Sequence, residues 1–193
     1  MISYDYRFIF VHNSRTGGSG LERLAGMPET SDPRTAGTGN TDFSGKHRMF
    51  ADFYQCYPKE FFRFFKFTIL RNPYDRMVSA WLWRCTIVKD HDCSLKEFVS
   101  KKPKRWSYQT RLKLDHLDFA ASIAMFDYVA RFETLHENIK FICNTVGLDY
   151  SKYKHYNKTQ HGPYWKYYDD ETIELVTNRF KEDIEYFGYR FGA

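Results

Sequence analysis

A glycine-rich loop between two apolar segments is the part of this sequence most able to do chemistry. The segment RFIFVH, residues 7–12, is typical of a buried strand, and helical character begins at Gly20. The loop between them contains the run Arg15, Thr16, Gly17, Gly18, Ser19 and Gly20. Such a turn exposes backbone N–H groups where partial positive charge collects at a helix start. The loop therefore predicts a phosphate or sulfate site, with a purely structural turn as the alternative.

The residues around this loop argue against a nucleoside triphosphate as its ligand. Gly20 is followed by Leu21 and Glu22, so the GxxxxGK[ST] pattern, with its phosphate-binding lysine and magnesium-binding hydroxyl, is absent. The dinucleotide fingerprint GxGxxG is also missing. A nucleotide kinase is therefore disfavoured.

A second loop repeats the arrangement. The strand predicted for Phe62–Leu70 runs into Arg71, a helix is predicted over Pro73–Trp83, and Ser79 lies on that helix. Because ligands collect at the carboxyl ends of parallel strands, we expect Arg15 and Arg71 at the same edge of the sheet. A nucleotide with negative charge at both its 5′ and 3′ positions would suit two such sites.

These motifs resemble those of the sulfotransferases that use 3′-phosphoadenosine 5′-phosphosulfate (PAPS), particularly the carbohydrate sulfotransferase branch, family 2. RTGGSG is similar to the 5′-phosphosulfate loop, usually KTGGTS or KTAGTS, and LRNPYDRMVSAW is similar to the 3′-phosphate motif. YVARFETL and the segment that begins NKTQHGPYW resemble later parts of the family. The resemblance implies a P-loop-like α/β fold, reduced in size, in which helices flank a parallel β-sheet.

The resemblance also implies a set of cofactor-binding residues. Those expected around the 5′-phosphosulfate are Arg15, Thr16, Gly17, Gly18, Ser19 and Gly20. Arg71 and Ser79 would hold the 3′-phosphate. Asn157, Lys158 and Thr159 match the NKS or NKT segment that closes over the cofactor in relatives.

Two residues of the first loop depart from the family pattern. Arg15 stands where relatives have lysine, and Gly20 stands where they have serine or threonine. A guanidinium stays charged and can clamp two oxygens, but it cannot donate a proton as an ammonium can. We therefore expect Arg15 to stabilise charge on the leaving phosphate by electrostatics. The alternative is a catalytically weak or inactive nucleotide- or polyanion-binding module of the same fold.

Sulfuryl transfer to a hydroxyl also needs a group that accepts the hydroxyl proton. His47, in GKHRMF, matches a KH segment that precedes a helix in relatives, and imidazole titrates near neutral pH. A helix-capping role for His47 is the alternative. Other possible bases are Glu22, Asp42, His116 and Glu133.

The acceptor would be a hydroxyl compound, either a glycan or a small metabolite. Trp106 could stack on a sugar ring or pack in the core, and Gln109 matches a PQ segment of relatives, so both are substrate-site candidates.

Composition bounds the remaining possibilities. The 193 residues suit one domain, residues 1–193, and the net charge of +5 favours anionic ligands without the basic tracts of nucleic-acid-binding tails. The four cysteines show no zinc-site spacing, and we expect no metal because arginines and backbone amides can neutralise the charge that develops during sulfuryl transfer. No apolar run approaches the length of a membrane span, so we expect a soluble, cytoplasmic protein.

The remaining segments continue the alternation of strands and helices. A third strand is predicted within residues 126–133, a single helix over 109–125, another over 169–187, and a long loop over 27–45. Alternation of this kind predicts a parallel sheet covered on both faces.

Overall fold

The fold is described from a computed structural model of the chain. It describes residues 1–26, 41–42, 48–89, 93–101, 106–156, 158–159 and 161–193, with the backbone alone for residues 41, 42, 87 and 88. The described residues form two compact units. Unit 1 comprises Met1–Leu70 and Arg111–Asn157, and unit 2 comprises Arg71–Thr110 and Lys158–Ala193. The expectation of a single domain stays a prediction.

Unit 1 contains a five-stranded sheet in the order β3-β1-β2-β4-β5. Its strands are β1 (Ile2–Ser3), β2 (Phe8–Val11), β3 (Thr41–Asp42), β4 (Phe65–Leu70) and β5 (Tyr128–Arg131). The three strands predicted from the sequence are β2, β4 and β5, and they are parallel as expected. The two-residue strands β1 and β3 add antiparallel pairs at one edge, which the sequence did not predict because they are too short to show alternation.

The register places the carboxyl ends of the parallel strands at the same edge of the sheet. Val11 at the end of β2 pairs with Thr68, and Leu70 at the end of β4 pairs with Arg131. The polar segments after these strands therefore begin at the edge where parallel sheets collect their ligands.

Ten α-helices are found in the described residues. They are α1 (Ser19–Leu24), α2 (Phe50–Cys56), α3 (Pro58–Phe61), α4 (Pro73–Trp83), α5 (Leu95–Ser100), α6 (Tyr108–Leu112), α7 (Phe119–Ala124), α8 (Leu135–Val146), α9 (Asp170–Arg179) and α10 (Lys181–Phe187). The local sequence explains where several helices begin or end. Pro73 occupies the first turn of α4, and Ser94 and Glu97 form a capping box at the start of α5. Gly147 ends α8 with a φ of 82°.

Two helices predicted as continuous are each divided in two. The helix predicted over 109–125 ends at Leu112, and the Asp118 side chain caps a new helix by accepting from the Ala121 amide at 2.7 Å. The helix predicted over 169–187 breaks at Phe180, whose φ of −115° ends α9 while its side chain is buried in the core of unit 2. In both places specific contacts override helical periodicity.

Each unit has its own apolar core. In unit 1 the rings of Phe8, Phe10 and Phe67 pack on the sheet beneath α8, with Phe10 and Phe67 stacked at 4.9 Å. In unit 2 the buried face of α4, including Met77 and Val78, packs with residues of α5 and α9. These cores hold the two segments that follow β2 and β4.

A buried hydroxyl in unit 1 allows a test of this packing. Tyr153 Oη is buried, and the described residues offer it no hydrogen-bond partner, while burial raises the pKa of Tyr153. Because an unsatisfied buried hydroxyl destabilises the native state, Tyr153→Phe should raise the free energy of unfolding by about 1 kcal/mol. Tyr150→Phe is the control, since the Tyr150 hydroxyl lies 3.2 Å from His136 Nδ1, and it should give no gain. Urea unfolding of both variants measures the difference, and a loss of stability in Tyr153→Phe would contradict the assignment.

Candidate functional site

The loop between β2 and α1 has the backbone of an anion-binding turn. The φ angle is 65° at Arg15 and 79° at Gly17, and it returns to −66° at Gly18. Alternation between left-handed and right-handed residues turns successive N–H groups toward one side, which is the arrangement of an anion-binding nest. Arg15 is a non-glycine residue held in the left-handed region, a strained state that clusters at functional sites.

Each glycine of the loop lies where a side chain would collide with other parts of unit 1. A Cβ at Gly17 would lie 2.7 Å from Leu135 Cδ2, and a Cβ at Gly18 would lie 2.6 Å from Phe10 Cζ. A Cβ at Gly20 would lie 2.2 Å from the backbone oxygen of Lys154. The serine or threonine of relatives could not occupy position 20 without movement of the segment at Lys154.

A buried polar network supports the loop from the sheet. Asn13 donates to Thr68 Oγ1 at 2.9 Å and to the Ile69 carbonyl at 3.1 Å, joining the ends of β2 and β4. Thr16 donates to the Asn13 carbonyl at 2.7 Å, and Arg111 donates to Asn13 Oδ1 at 2.9 Å. Of the predicted ligands, Thr16 is buried and turned into this network, whereas Arg15 and Ser19 are partly exposed.

The possible bases differ in their surroundings. His47 lies outside the described residues, and the side chain of Asp42 is not described. Glu22 is only 1% exposed and pairs with His12 at 2.7 Å, so it lies beneath the loop rather than at its surface. The two remaining candidates are exposed: His116 and Glu133.

In unit 2, Arg71 directly follows β4 in the chain and is held by two groups. Its Nε donates to Oδ2 of Asp75, in the first turn of α4, at 2.7 Å, and its side chain is 7% exposed. Its backbone amide donates to the Tyr108 hydroxyl at 2.9 Å, and this hydroxyl lies 3.0 Å from the Arg71 carbonyl. The guanidinium is thus oriented by a carboxylate and the backbone by a tyrosine.

Two further predicted residues meet on α4. Ser79 Oγ lies 3.1 Å from Thr159 Oγ1, so the motif serine and the NKT threonine are brought together within unit 2. Lys158 is exposed, and Asn157 lies outside the described residues. His161 Nε2 lies 3.9 Å from Asp75 Oδ1 on the same helix.

The Asp183 carboxylate anchors the residues that hold Arg71. It is buried and accepts from the backbone amides of Tyr108 at 2.8 Å and Gln109 at 2.9 Å. Burial raises the pKa of Asp183, and these amide hydrogen bonds oppose the rise. Asp183 therefore fixes the start of α6 and, through Tyr108, the backbone of Arg71.

The two substrate candidates lie in the same part of unit 2. The Arg76 guanidinium lies 5.2 Å from the centre of the Trp106 ring and donates to the Trp106 carbonyl at 2.8 Å. These contacts show Trp106 packed against Arg76, which agrees with the packing role that the sequence offered as an alternative to sugar stacking. The backbone of Gln109 is fixed by Asp183, and a role of either residue in acceptor binding stays a prediction.

Comparison with known proteins decides the family. A family model described as "Sulfotransferase family", Sulfotransfer_2, matches residues 14–190, from the glycine loop to the end of unit 2. The chain belongs to the sulfotransferase family. This confirms the resemblance and the α/β fold class inferred from the sequence. The crystal structure of a sulfotransferase from Alicyclobacillus acidocaldarius aligns with a TM-score of 0.49 at 17% identity, covering 93% of this chain and 92% of that one. A search of curated proteins gave no match.

Several structural features bear on other expectations for this sulfotransferase. Over the described ranges, no helix has both the length and the apolar character needed to cross a bilayer. The same residues contain no group of three or more His, Cys, Asp or Glu side chains arranged to hold a metal ion. All four cysteines lie in described segments and are thiols, and burial raises the pKa of Cys143 to about 11.

Sequence reasoning missed several polar residues that support the sulfotransferase loops, among them Asn13, Asp75, Arg111 and Asp183. Asp75 carried a usable signal, because an acid in the first turn of a predicted helix, four residues after an arginine, is placed to pair with it. The other three form hydrogen bonds with residues 55 or more positions away in the chain, and no local sequence pattern can indicate such contacts.

The glycine at position 20 gives a direct test of the loop packing. Gly20→Ser should lower the free energy of unfolding by about 1–3 kcal/mol, because the added Cβ meets a backbone carbonyl rather than a flexible side chain. Gly162→Ser is the matched control, since a Cβ there meets nothing within 4 Å. Thermal unfolding of both variants measures the effect, and equal melting temperatures would refute the packing.

The Asp183 anchor gives a second test. Asp183→Ala leaves two buried amides without their acceptor, so it should cost about 2–3 kcal/mol of stability. Glu182→Ala, at the exposed neighbouring position, should stay within about 0.5 kcal/mol of the wild type. Chemical denaturation compares the two, and a similar loss in both variants would contradict a specific role for Asp183.

Proposed function

We propose that this sulfotransferase moves a sulfuryl group from PAPS to a hydroxyl of a carbohydrate or small metabolite by in-line transfer. The observation that carries the proposal is the backbone of the loop after β2. Positive φ at Arg15 and Gly17 suits backbone N–H groups to donate hydrogen bonds to an anion. Family membership supports sulfuryl transfer as the reaction. The donor, acceptor class and in-line geometry are the proposal.

The residues present fit the two charged ends of this donor. The loop amides and Arg15 suit the 5′-phosphosulfate, because a guanidinium can hold two oxygens and remains charged at any working pH. Arg71 and Ser79 suit the 3′-phosphate, with Asp75 holding the arginine side chain in one orientation. Lys158 and Thr159 extend the second set, since Thr159 already contacts Ser79.

The protein's groups have separate tasks in the proposed step. The acceptor oxygen forms a bond to sulfur as the bond from sulfur to the 5′-phosphate oxygen breaks, and adenosine 3′,5′-bisphosphate leaves. Arg15 stabilises the negative charge that develops on the 5′-phosphate oxygen. His47 takes the proton of the attacking hydroxyl, as a base that titrates near neutral pH can do.

Nucleotide binding and turnover can be tested separately. Isothermal titration with adenosine 3′,5′-bisphosphate should show binding, and release of this product from PAPS should depend on a hydroxyl acceptor from a panel of glycans and small alcohols. Arg71→Ala should weaken binding of the bisphosphate by about tenfold or more while leaving that of adenosine 5′-monophosphate almost unchanged, because it removes a charge-assisted contact to the 3′-phosphate.

Arg63→Ala is the matched control, because Arg63 is exposed in unit 1 and should leave both affinities unchanged. Binding without product release across the panel would indicate the inactive binding module instead. Absence of bisphosphate binding by the wild type would refute the proposed donor.

A further inference from the structure

A buried histidine–glutamate pair lies directly beneath the glycine loop. His12 follows β2, Glu22 lies in α1, and His12 Nδ1 is 2.7 Å from Glu22 Oε1. The two side chains are 3% and 1% exposed. The pair therefore joins the strand before the loop to the helix after it, and the proposed transfer uses neither residue.

The position of the imidazole is set by an aromatic neighbour. The His12 ring stacks on the Phe10 ring with centroids 5.1 Å apart and an interplanar angle of 17°. One face of the imidazole is thus packed against Phe10, while Nδ1 is directed at Glu22. Stacking and the short polar contact together leave the ring little freedom to rotate.

The loop backbone rests on this ring. A Cβ at Gly18 would lie 2.8 Å from both Cδ2 and Nε2 of His12. Gly18 is the residue immediately before α1 and the point at which φ returns to negative values after Gly17. A shift of the imidazole would therefore move the backbone at Gly18 and the amides beside it.

The far side of α1 is held independently. The Lys154 carbonyl leaves no space for a Cβ at Gly20, and the Arg23 guanidinium lies 4.0 Å from the centre of the Tyr156 ring. With α1 held there, the contact of His12 with Glu22 determines how the start of the helix sits against the end of β2. A carboxylate that is nearly inaccessible to water needs such a partner.

We propose that the His12–Glu22 pair is a positioning element that sets the loop amides for the 5′-phosphate end of the nucleotide. This rests on the proposed function, because it assumes that the loop binds that phosphate. The pair acts through Gly18 and touches no reacting atom. Its loss should therefore weaken binding at the 5′ end alone.

The test compares two nucleotides on the full chain by isothermal titration. Adenosine 3′,5′-bisphosphate carries the 5′-phosphate, and adenosine 3′-monophosphate lacks it. Glu22→Ala should weaken bisphosphate binding by about tenfold or more, as expected when a binding group is misplaced by a fraction of an ångström, and leave the monophosphate affinity unchanged. Glu22→Gln should recover most of the affinity, since its amide oxygen can still accept from Nδ1.

A second variant and a matched control keep the test decisive. Glu22→Asp retains the charge but withdraws it from His12, so it should reproduce the selective loss if Glu22→Ala does not fold. Asp127→Ala breaks another ion pair of unit 1, with Lys66 at 2.8 Å near the opposite end of β4, and should leave both affinities unchanged.

The outcomes separate this inference from the proposed function. Wild-type protein that fails to bind the bisphosphate would overturn the proposed function itself. Wild-type binding with unchanged affinity in Glu22→Ala and Glu22→Asp would overturn the positioning role. An equal loss for both nucleotides would also overturn it, because the pair would then support the fold without selecting the 5′ end.

Discussion

The exclusion of Cβ atoms from the loop after β2 is the constraint on which the rest of unit 1 depends. Gly18 lies against Phe10 and His12, and Gly20 lies against the carbonyl of Lys154. These neighbours come from a strand and from a segment more than 130 residues away. The loop is therefore shaped by contacts on both sides, and the backbone can pass only where side chains are missing.

This constraint changes how the glycine motif is interpreted. Glycines in such a loop are usually explained by close approach to a phosphate, yet here the fold already favours them: Gly17 has φ of 79°, and a Cβ at Gly18 or Gly20 would collide with its neighbours. The loop also holds Arg15, a non-glycine residue, in the left-handed region, which costs conformational free energy that a glycine would not lose. This strain and the charge of Arg15 are consistent with the proposed binding of the 5′-phosphosulfate.

In unit 2, the motif arginine, Arg71, is oriented by a carboxylate and a tyrosine rather than by a glycine turn. Arg71 is almost fully buried, so its charge needs a partner, and Asp75 supplies one from the first turn of α4. The Tyr108 hydroxyl fixes the arginine backbone, and Asp183 fixes Tyr108 in turn. A side chain held in this way has little conformational entropy left to lose, which suits the proposed binding of the 3′-phosphate.

The sequence by itself determined the α/β class and the three parallel strands, because strand periodicity, helix caps and glycine turns are local signals carried by neighbouring residues. The family followed from the resemblance of RTGGSG and LRNPYDRMVSAW to known sulfotransferase motifs, and those motifs contain the two arginines and the serine. Only the tertiary structure showed why Gly20 cannot carry a side chain, why the helices predicted over 109–125 and 169–187 are broken, and how His12, Asn13 and Asp183 support the loops. These features depend on contacts such as Lys154 with Gly20 and Asp183 with Tyr108, which join residues far apart in the chain, so no local pattern could encode them.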